Sequence, residues 1–128
     1  MTRNSLNHKE WLIQAKSELK SADALLKSGN YSQAAFHCHQ AVEFCIKALY
    51  IKINNDFITG HDLVFFGRKL RFPIEILEYC EFLNSAYLDS RYVDRAGKAP
   101  VKIYNKNRAE LSLKYAKEAI KWIRKRVK

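Results

Sequence analysis

The stretch Tyr31–Tyr50, YSQAAFHCHQAVEFCIKALY, decides the fold class of this chain. Apolar residues recur in it every three or four positions, which is the period of an α-helix and not the alternation of a β-strand. This seam consists of Tyr31, Ala35, Cys38, Val42, Cys45 and Leu49, and beside it runs a row of Ala34, Ala41 and Ala48. A helix with two such rows is apolar on more than one face, so the pattern predicts a helix buried within a bundle.

Three polar side chains interrupt this apolar helix, at Gln40, Glu43 and Lys47. They are three and four residues apart, so they share one side of the helix. A charge in an apolar interior requires a partner that offsets its lost hydration. We therefore expect a line of polar groups inside or beside the core, which serves either as a satisfied network that fixes helix register or as part of a ligand site.

The composition is that of a single helical domain. The chain has 128 residues, 48% of them apolar, with only 4 Gly and 2 Pro. A chain of this length removes roughly two-thirds of its unfolded surface from water on folding. We predict an all-α fold, an up-and-down bundle of four longer helices plus one short helix, formed by residues 1–128 as one domain.

The apolar runs indicate where in the cell the chain is expected, and the cysteine positions indicate what the thiols do. No apolar run is long enough to cross a bilayer, and the polar start MTRNSLNHKE lacks the apolar core of a signal peptide, so we expect a cytoplasmic chain with no membrane partner. The 3 cysteines occupy seam positions, which favours structural thiols. A zinc site is disfavoured because its candidate ligands are adjacent residues that point to different helix faces, and we predict no metal. Those candidates are His37, Cys38, His39 and Glu43.

Capping and turn residues predict the bounds of the first two helices. Asn7 and Glu10 form a capping-box pattern, so the first helix should run from about Asn7 to Lys27, where Gly29 ends it. A turn of a few residues then leads into the second helix, which should reach about Ile53. Because the break is so short, the two helices should pack antiparallel as a hairpin.

The remaining elements are predicted in the same way. Thr59 or Asp62 can cap a short helix that reaches Leu70, and Pro73 fits the first turn of the next helix. The segment Asp89–Lys106 follows no periodic pattern and exceeds the usual connection between bundle helices. A second capping-box pattern starts the last helix, at Asn107 and Glu110, and its seam is Leu113, Ala116, Ile120, Ile123 and Val127.

Positive charge is concentrated in the last third of the chain. Residues 1–90 contain ten Lys or Arg and ten Asp or Glu, whereas residues 91–128 contain thirteen and three, which accounts for the net charge of +10. A basic surface attracts phosphates, nucleic acid or an acidic protein. The alternative is a solvated helix face whose cations offset the helix dipole.

Four blocks of sequence, in order, resemble the HEPN family, the higher eukaryote and prokaryote nucleotide-binding domains. Trp11–Leu26 is similar to the family's first helix, and Tyr31–Leu49 resembles its Y-x-x-A-x-F-x-x-Q-Q-A-x-E-x-x-x-K-A-L pattern. His61–Leu63 is similar to its H-D-L turn, and Tyr87–Asp94, YLDSRYVD, resembles its Y-x-x-x-R-Y-P-D segment. The chain departs from these patterns at His39, Phe44 and Val93.

The resemblance implies a homodimeric HEPN-like bundle that acts as a nucleotide-binding or accessory subunit. Its partner would be a minimal nucleotidyltransferase, in a two-component, toxin–antitoxin-like system. The family's polar positions fall on Gln40, Glu43, Lys47, His61, Asp62, Arg91, Tyr92 and Asp94. Supporting positive charge comes from Arg95, Lys98 and Lys102. No resident cofactor is implied; the candidate ligand is an ATP-like nucleotide, and RNA is a candidate partner.

Two alternatives remain open at the level of sequence. Relatives that act as metal-independent endoribonuclease toxins use an Arg followed four to six residues later by His, which pairs phosphate binding with proton transfer. No His follows Arg91, so we predict no catalytic residue, although His37 or His39 can approach Arg91 in space. The other alternative is a helical protein-interaction module without a ligand, because apolar residues outside the seam need cover. These residues are Phe36, Phe44 and Ile51.

Overall fold

The computed structural model describes residues 6–93 and 97–128, and these residues form six helices and no strand. The helices are α1 (His8–Lys27), α2 (Tyr31–Asn54), α3 (Leu63–Lys69), α4 (Ile74–Arg91), α5 (Pro100–Ile103) and α6 (Lys106–Val127). The all-α prediction is confirmed, and its four longer helices are α1, α2, α4 and α6. None of the described helices combines the length and apolar composition that crossing a membrane requires.

The helix α2 occupies the centre of the bundle and packs against α1, α4 and α6. Every residue of the predicted seam except Tyr31 is buried, and the whole alanine row is buried as well. Because alanine favours the helix and has a small side chain, this row leaves room for the neighbouring helices without loss of helix propensity. The sequence pattern of α2 therefore determines the packing of the rest of the bundle.

A tight turn at Gly29 reverses the chain between α1 and α2. Gly29 has a φ of +82°, a conformation that costs residues with a Cβ atom. The Asn30 N–H donates to the Leu25 carbonyl at 2.8 Å and the Gly29 N–H donates to the Leu26 carbonyl at 3.1 Å. This pair of bonds satisfies carbonyls that the end of α1 would leave free, and the short turn aligns α1 antiparallel to α2 as predicted.

Side-chain caps fix the start of α1 and α3. The Asn7 side chain accepts the Lys9 N–H at 3.1 Å, so the predicted start of the first helix is confirmed. Asp62 rather than Thr59 caps α3, and its Oδ1 accepts the N–H groups of Val64 and Phe65, each at 3.1 Å. The cap thereby orients the turn that precedes α3.

Two predicted starts are shifted. Asn105 and not Asn107 caps α6, because the Asn105 backbone is extended and its side chain accepts the Arg108 N–H at 2.8 Å. Asn107 therefore lies inside the first turn of α6. Pro73 precedes the first helical residue of α4 instead of lying within its first turn.

The segment predicted to lack regular structure, Asp89–Lys106, is partly helical at both ends of its described portion. The helix α4 continues to Arg91, and Pro100 begins α5, a short helix additional to the one that the sequence predicts. Proline favours the first helical position, where its missing N–H is not needed. After α5, the buried ring of Tyr104 packs into a small apolar cluster and anchors this segment to the bundle.

The cysteines Cys38, Cys45 and Cys80 are free and buried, as the structural-thiol interpretation predicts. Burial raises the pKa of each thiol to about 12, because the surroundings disfavour the thiolate. They therefore pack as small apolar residues and are poor nucleophiles at neutral pH.

The close packing of Gly67 in α3 yields a stability prediction. A Cβ atom on Gly67 would lie 2.8 Å from Leu77 Cδ2 and 2.8 Å from Phe72 Cδ2. An alanine in an open helix position raises stability over glycine by up to ~1 kcal/mol. Here we expect the opposite sign: Gly67→Ala should lower the free energy of unfolding by about 1–3 kcal/mol, measured by urea denaturation, because the core is overpacked.

The control is Arg68→Ala, one residue further along the same helix on an exposed position. It should change the free energy of unfolding by no more than about 0.5 kcal/mol. A Gly67→Ala variant as stable as the wild type would show that α3 does not pack against α4 as described.

Candidate functional site

A cleft of about 360 Å³ opens where the turn before α3 meets the C-terminal half of α4. This volume lies within the range of small-molecule sites. Its lining combines aromatic, apolar and hydrogen-bonding side chains. The lining residues are His61, Asp62, Asn84, Tyr87, Leu88 and Tyr92.

Behind this cleft, α2 holds the buried carboxylate of Glu43, whose residue is 2% exposed. Its Oε2 accepts a hydrogen bond from Lys47 Nζ at 3.0 Å, one helical turn further along α2. Its Oε1 accepts from His61 Nδ1 at 2.9 Å. Both carboxylate oxygens are thus engaged by donors, which is the condition for keeping a charge in the interior.

The pairing with Glu43 also defines the chemistry of His61. Since a carboxylate oxygen only accepts, Nδ1 of His61 carries the hydrogen in that contact. In the neutral ring, Nε2 is therefore left as an acceptor on the opposite side of the imidazole. The His61 side chain is 63% exposed, so this acceptor is accessible at the mouth of the cleft.

His39 belongs to the interior of the same site. It is fully buried, its ring stacks on Tyr87 with centroids 4.0 Å apart, and its Nε2 lies 3.2 Å from Asn84 Oδ1. Burial lowers the pKa of His39 to about 4, against the opposing effect of the nearby Glu43 carboxylate. His39 Nδ1 is 3.8 Å from Glu43 Oε1 and has no hydrogen-bond partner among the described residues. His39 is therefore a neutral structural ring at physiological pH.

Asn84 of α4 connects the three helices that form the site. Its Oδ1 accepts the Leu63 N–H at 3.0 Å and faces His39, while its Nδ2 donates to Asp62 Oδ1 at 2.9 Å. One amide thereby ties α4 to the start of α3 and to α2. The second carboxylate oxygen of Asp62 has no hydrogen bond within the described part of the chain, and Asp62 lines the cleft.

Arg91, in the last turn of α4, does not itself line the cleft but packs on two aromatic rings, one of which, Tyr87, does. Its Cζ is 4.8 Å from the ring centroid of Phe36 and 5.7 Å from that of Tyr87. The His61 ring lies 6.1 Å from the same Tyr87 ring. The structure therefore brings Arg91, His39 and His61 together around Tyr87. Arg91 also contacts α2 directly, through Phe36.

The other predicted site residues lie in different places. Tyr92 follows α4, is 58% exposed and lines the cleft, whereas Gln40 is half-buried on α2 and is not a lining residue. Lys98 and Lys102 are exposed, and neither lines the cleft. Asp94 and Arg95, also predicted for the site, lie outside the described residues.

Sequence reasoning missed the structural roles of His39, Asn84 and Tyr87. His39 precedes Glu43 by one helical turn, so the spacing that selected Glu43 and Lys47 could also have selected it. For Asn84 no local signal exists, because its partners lie about twenty or more residues away along the chain. His37, considered as a neighbour of Arg91, instead hydrogen-bonds Glu18 of α1.

No group of three or more His, Cys, Asp or Glu side chains within residues 6–93 and 97–128 is arranged to hold a metal ion. The chemistry that the cleft offers is therefore hydrogen bonding, aromatic stacking and a nearby guanidinium.

Known structures share this arrangement of helices. A protein from Thermus thermophilus superposes with a TM-score of 0.87 at 25% identity, over 94% of this chain and 98% of that one. An archaeal HEPN homologue gives 0.83 at 26% identity, with both chains covered completely. An HEPN domain protein from Thermotoga maritima gives 0.73 at 23% identity over 91% and 95% of the two chains, which supports the fold alone.

Comparison with curated proteins gives no significant match. The model of the HEPN domain family, in contrast, matches residues 8–126. This match spans α1, α2, α4, all but the last residue of α6, and every residue that lines the cleft beside Tyr87. The chain therefore belongs to the HEPN domain family.

Proposed function

We propose that the cleft beside Tyr87 binds an ATP-like nucleotide and that the chain is a nucleotide-binding or accessory subunit of a minimal nucleotidyltransferase. The observation that carries the nucleotide proposal is the juxtaposition of an accessible aromatic and polar cleft with the Arg91 guanidinium. The partner rests on the family resemblance. The binding chemistry can be argued group by group.

The base would lie against the aromatic side of the cleft. Tyr92 is largely exposed and lines the cleft together with Tyr87. Stacking of a base on an aromatic side chain contributes about 1–3 kcal/mol. The Asp62 carboxylate can accept from an amino group or ribose hydroxyl, and His61 Nε2 offers a second acceptor. This set of acceptors favours ligands rich in N–H and O–H donors.

The phosphates would lie toward Arg91. It contacts the rings of Phe36 and Tyr87 through cation–π interactions, and among the described residues it forms no ion pair. The N–H groups at the edges of the fork are thus available for bidentate contact with phosphate oxygens. Lys98 and Lys102, which follow Arg91 in the sequence and are exposed, are the further cations of this proposal.

Protein partners would use the surface around the cleft. Leu88, Tyr92 and Val93 are each more than half exposed, which leaves apolar area at one edge of the site. We propose that the chain also forms a homodimer, and that the basic last third favours an acidic face of the transferase. Light scattering tests the homodimer: a mass near twice 15.0 kDa supports it, and a monomer at high concentration contradicts it.

A specific observation favours endoribonuclease activity as the second candidate. His61 is held by the buried Glu43 carboxylate, an arrangement that fixes the tautomer of a general base. Arg91 lies against the same Tyr87 ring and could bind a scissile phosphate. Two observations argue against ribonuclease activity. No His follows Arg91 in the sequence. His39 is buried and neutral, so it cannot serve as a general acid near neutral pH.

The nucleotide proposal predicts a specific loss on Arg91→Ala. Hydrogen bonds to a charged group contribute about 1.5–3 kcal/mol, so this variant should weaken ATP binding at least about tenfold in isothermal calorimetry. Arg68→Ala is the matched control, since it removes an exposed arginine on α3 that does not line the cleft. Absence of binding heat for the wild type at millimolar ATP would contradict the proposal.

The same pair of variants separates the second candidate from the first. Wild-type protein incubated with labelled RNA and a metal chelator should leave the RNA intact. Cleavage that is lost in Arg91→Ala and retained in Arg68→Ala would refute the non-catalytic role and establish the ribonuclease. Cleavage that persists equally in both variants would point to a contaminant.

A further inference from the structure

A second cleft, of about 300 Å³, lies where the start of α1 meets the last turns of α2 and α6. It shares no lining residue with the cleft beside Tyr87. Its lining residues are His8, Lys9, Leu12, Lys52, Arg124, Val127 and Lys128. It therefore draws on three helices that are far apart in sequence.

Every ionisable side chain that lines this second cleft is basic. Within the described residues, Lys9, Lys52 and Arg124 form no ion pair, in contrast to Lys47, which is neutralised by Glu43. The floor is apolar, because Val127 is 4% exposed and Leu12 packs against the core. Cations over a low-dielectric floor are screened less than on a flat surface, so they concentrate a positive field.

The lysines of this cleft also act on the pKa of His8. Burial first, and then the positive charges of Lys52 and Lys9, lower the pKa of His8 below its ordinary value. Lys52 comes from the last turn of α2 and Lys9 from the first turn of α1, so two separate helices contribute positive charge at one point. No carboxylate of the described residues is among the groups that shift the pKa of His8.

Positive charge continues from the cleft along one face of α6. Lys117, Lys121, Arg124 and Lys128 are spaced by three or four residues, and all are exposed. Such residues lie on one helix face, and at 1.5 Å per residue they span about 16 Å. The other end of the row is partly compensated, because Asp23 of α1 interacts with Lys117.

We infer that this second cleft binds the phosphate groups of an extended phosphate chain, which continues along the row of cations on α6. Phosphate suits the mixed set of donors, in which Lys9 and Lys52 act as point charges and Arg124 as a planar fork. A row of about 16 Å exceeds what one phosphate needs. A single-stranded oligonucleotide and linear inorganic polyphosphate both present this chemistry.

The experiment measures fluorescence anisotropy of a labelled single-stranded oligouridylate, with unlabelled polyphosphate as competitor. Lys52→Glu/Arg124→Glu should weaken binding of the oligouridylate at least about tenfold. It should also lower the slope of log K against log salt by about 1.4, because each phosphate contact on a single strand contributes about 0.7. Polyphosphate should displace the oligouridylate from the wild type.

The matched control is Lys20→Glu/Lys106→Glu, which makes the same change in net charge at exposed positions outside the cleft. It should leave affinity within about twofold and the salt slope unchanged, since it removes no direct contact. Circular dichroism and thermal melting establish that each variant is folded. If the charge reversal lowers the melting temperature, Lys52→Gln/Arg124→Gln removes the same two contacts with less perturbation.

Each outcome decides the inference. A selective loss in the cleft variant supports it, with the oligouridylate as the source of phosphate. If only polyphosphate binds the wild type and the cleft variant loses it, the phosphate site stands and its source is polyphosphate. Equal loss in cleft and control variants, displacement by polyglutamate as effective as that by polyphosphate, or no binding of either phosphate chain would overturn it.

Discussion

The burial of the Glu43 carboxylate within α2 is the constraint on which the site depends. A buried charge left without partners destabilises a protein by about 3–5 kcal/mol, so Lys47 and His61 are held where they satisfy it. Lys47 comes from the same helix and needs only the correct spacing. His61 comes from the turn before α3, so its bond to Glu43 fixes that turn against α2. The cleft begins at this turn.

The second support of the site is the amide of Asn84. Because its oxygen and nitrogen are both engaged, it fixes the start of α3 and the rotation of α4 together. That rotation places Tyr87 on the His39 ring and Arg91 above Phe36 and Tyr87. The guanidinium is thus held beside two aromatic rings, and among the described residues it forms no ion pair. The side chains around the cleft are therefore held in position by contacts within the protein itself.

Local patterns predicted most of the fold, because they depend on neighbours within a helical turn. The seam of α2, the shared side of Glu43 and Lys47 and a cap at Thr59 or Asp62 are of this kind. Asn105 and Asn107 show where local patterns fail. Either asparagine could cap the start of α6, and only the path of the preceding chain decides which one does. His39 and Asn84 could not be paired from sequence, because their contact requires α2 and α4 to be packed. The basic cleft at Lys52 likewise combines residues from three helices.

The protonation state of the two histidines at Glu43 tests the account most directly. Long-range proton–nitrogen NMR correlations on imidazole distinguish the Nδ1–H, Nε2–H and doubly protonated forms. We predict that neutral His61 is mainly the Nδ1–H form in the wild type and loses this preference in Glu43→Leu, which removes the acceptor, while His39 stays neutral down to about pH 5, because burial lowers its pKa to about 4. An Nε2–H form of His61 that Glu43→Leu does not change, together with a His39 that titrates near its ordinary pKa, would contradict it.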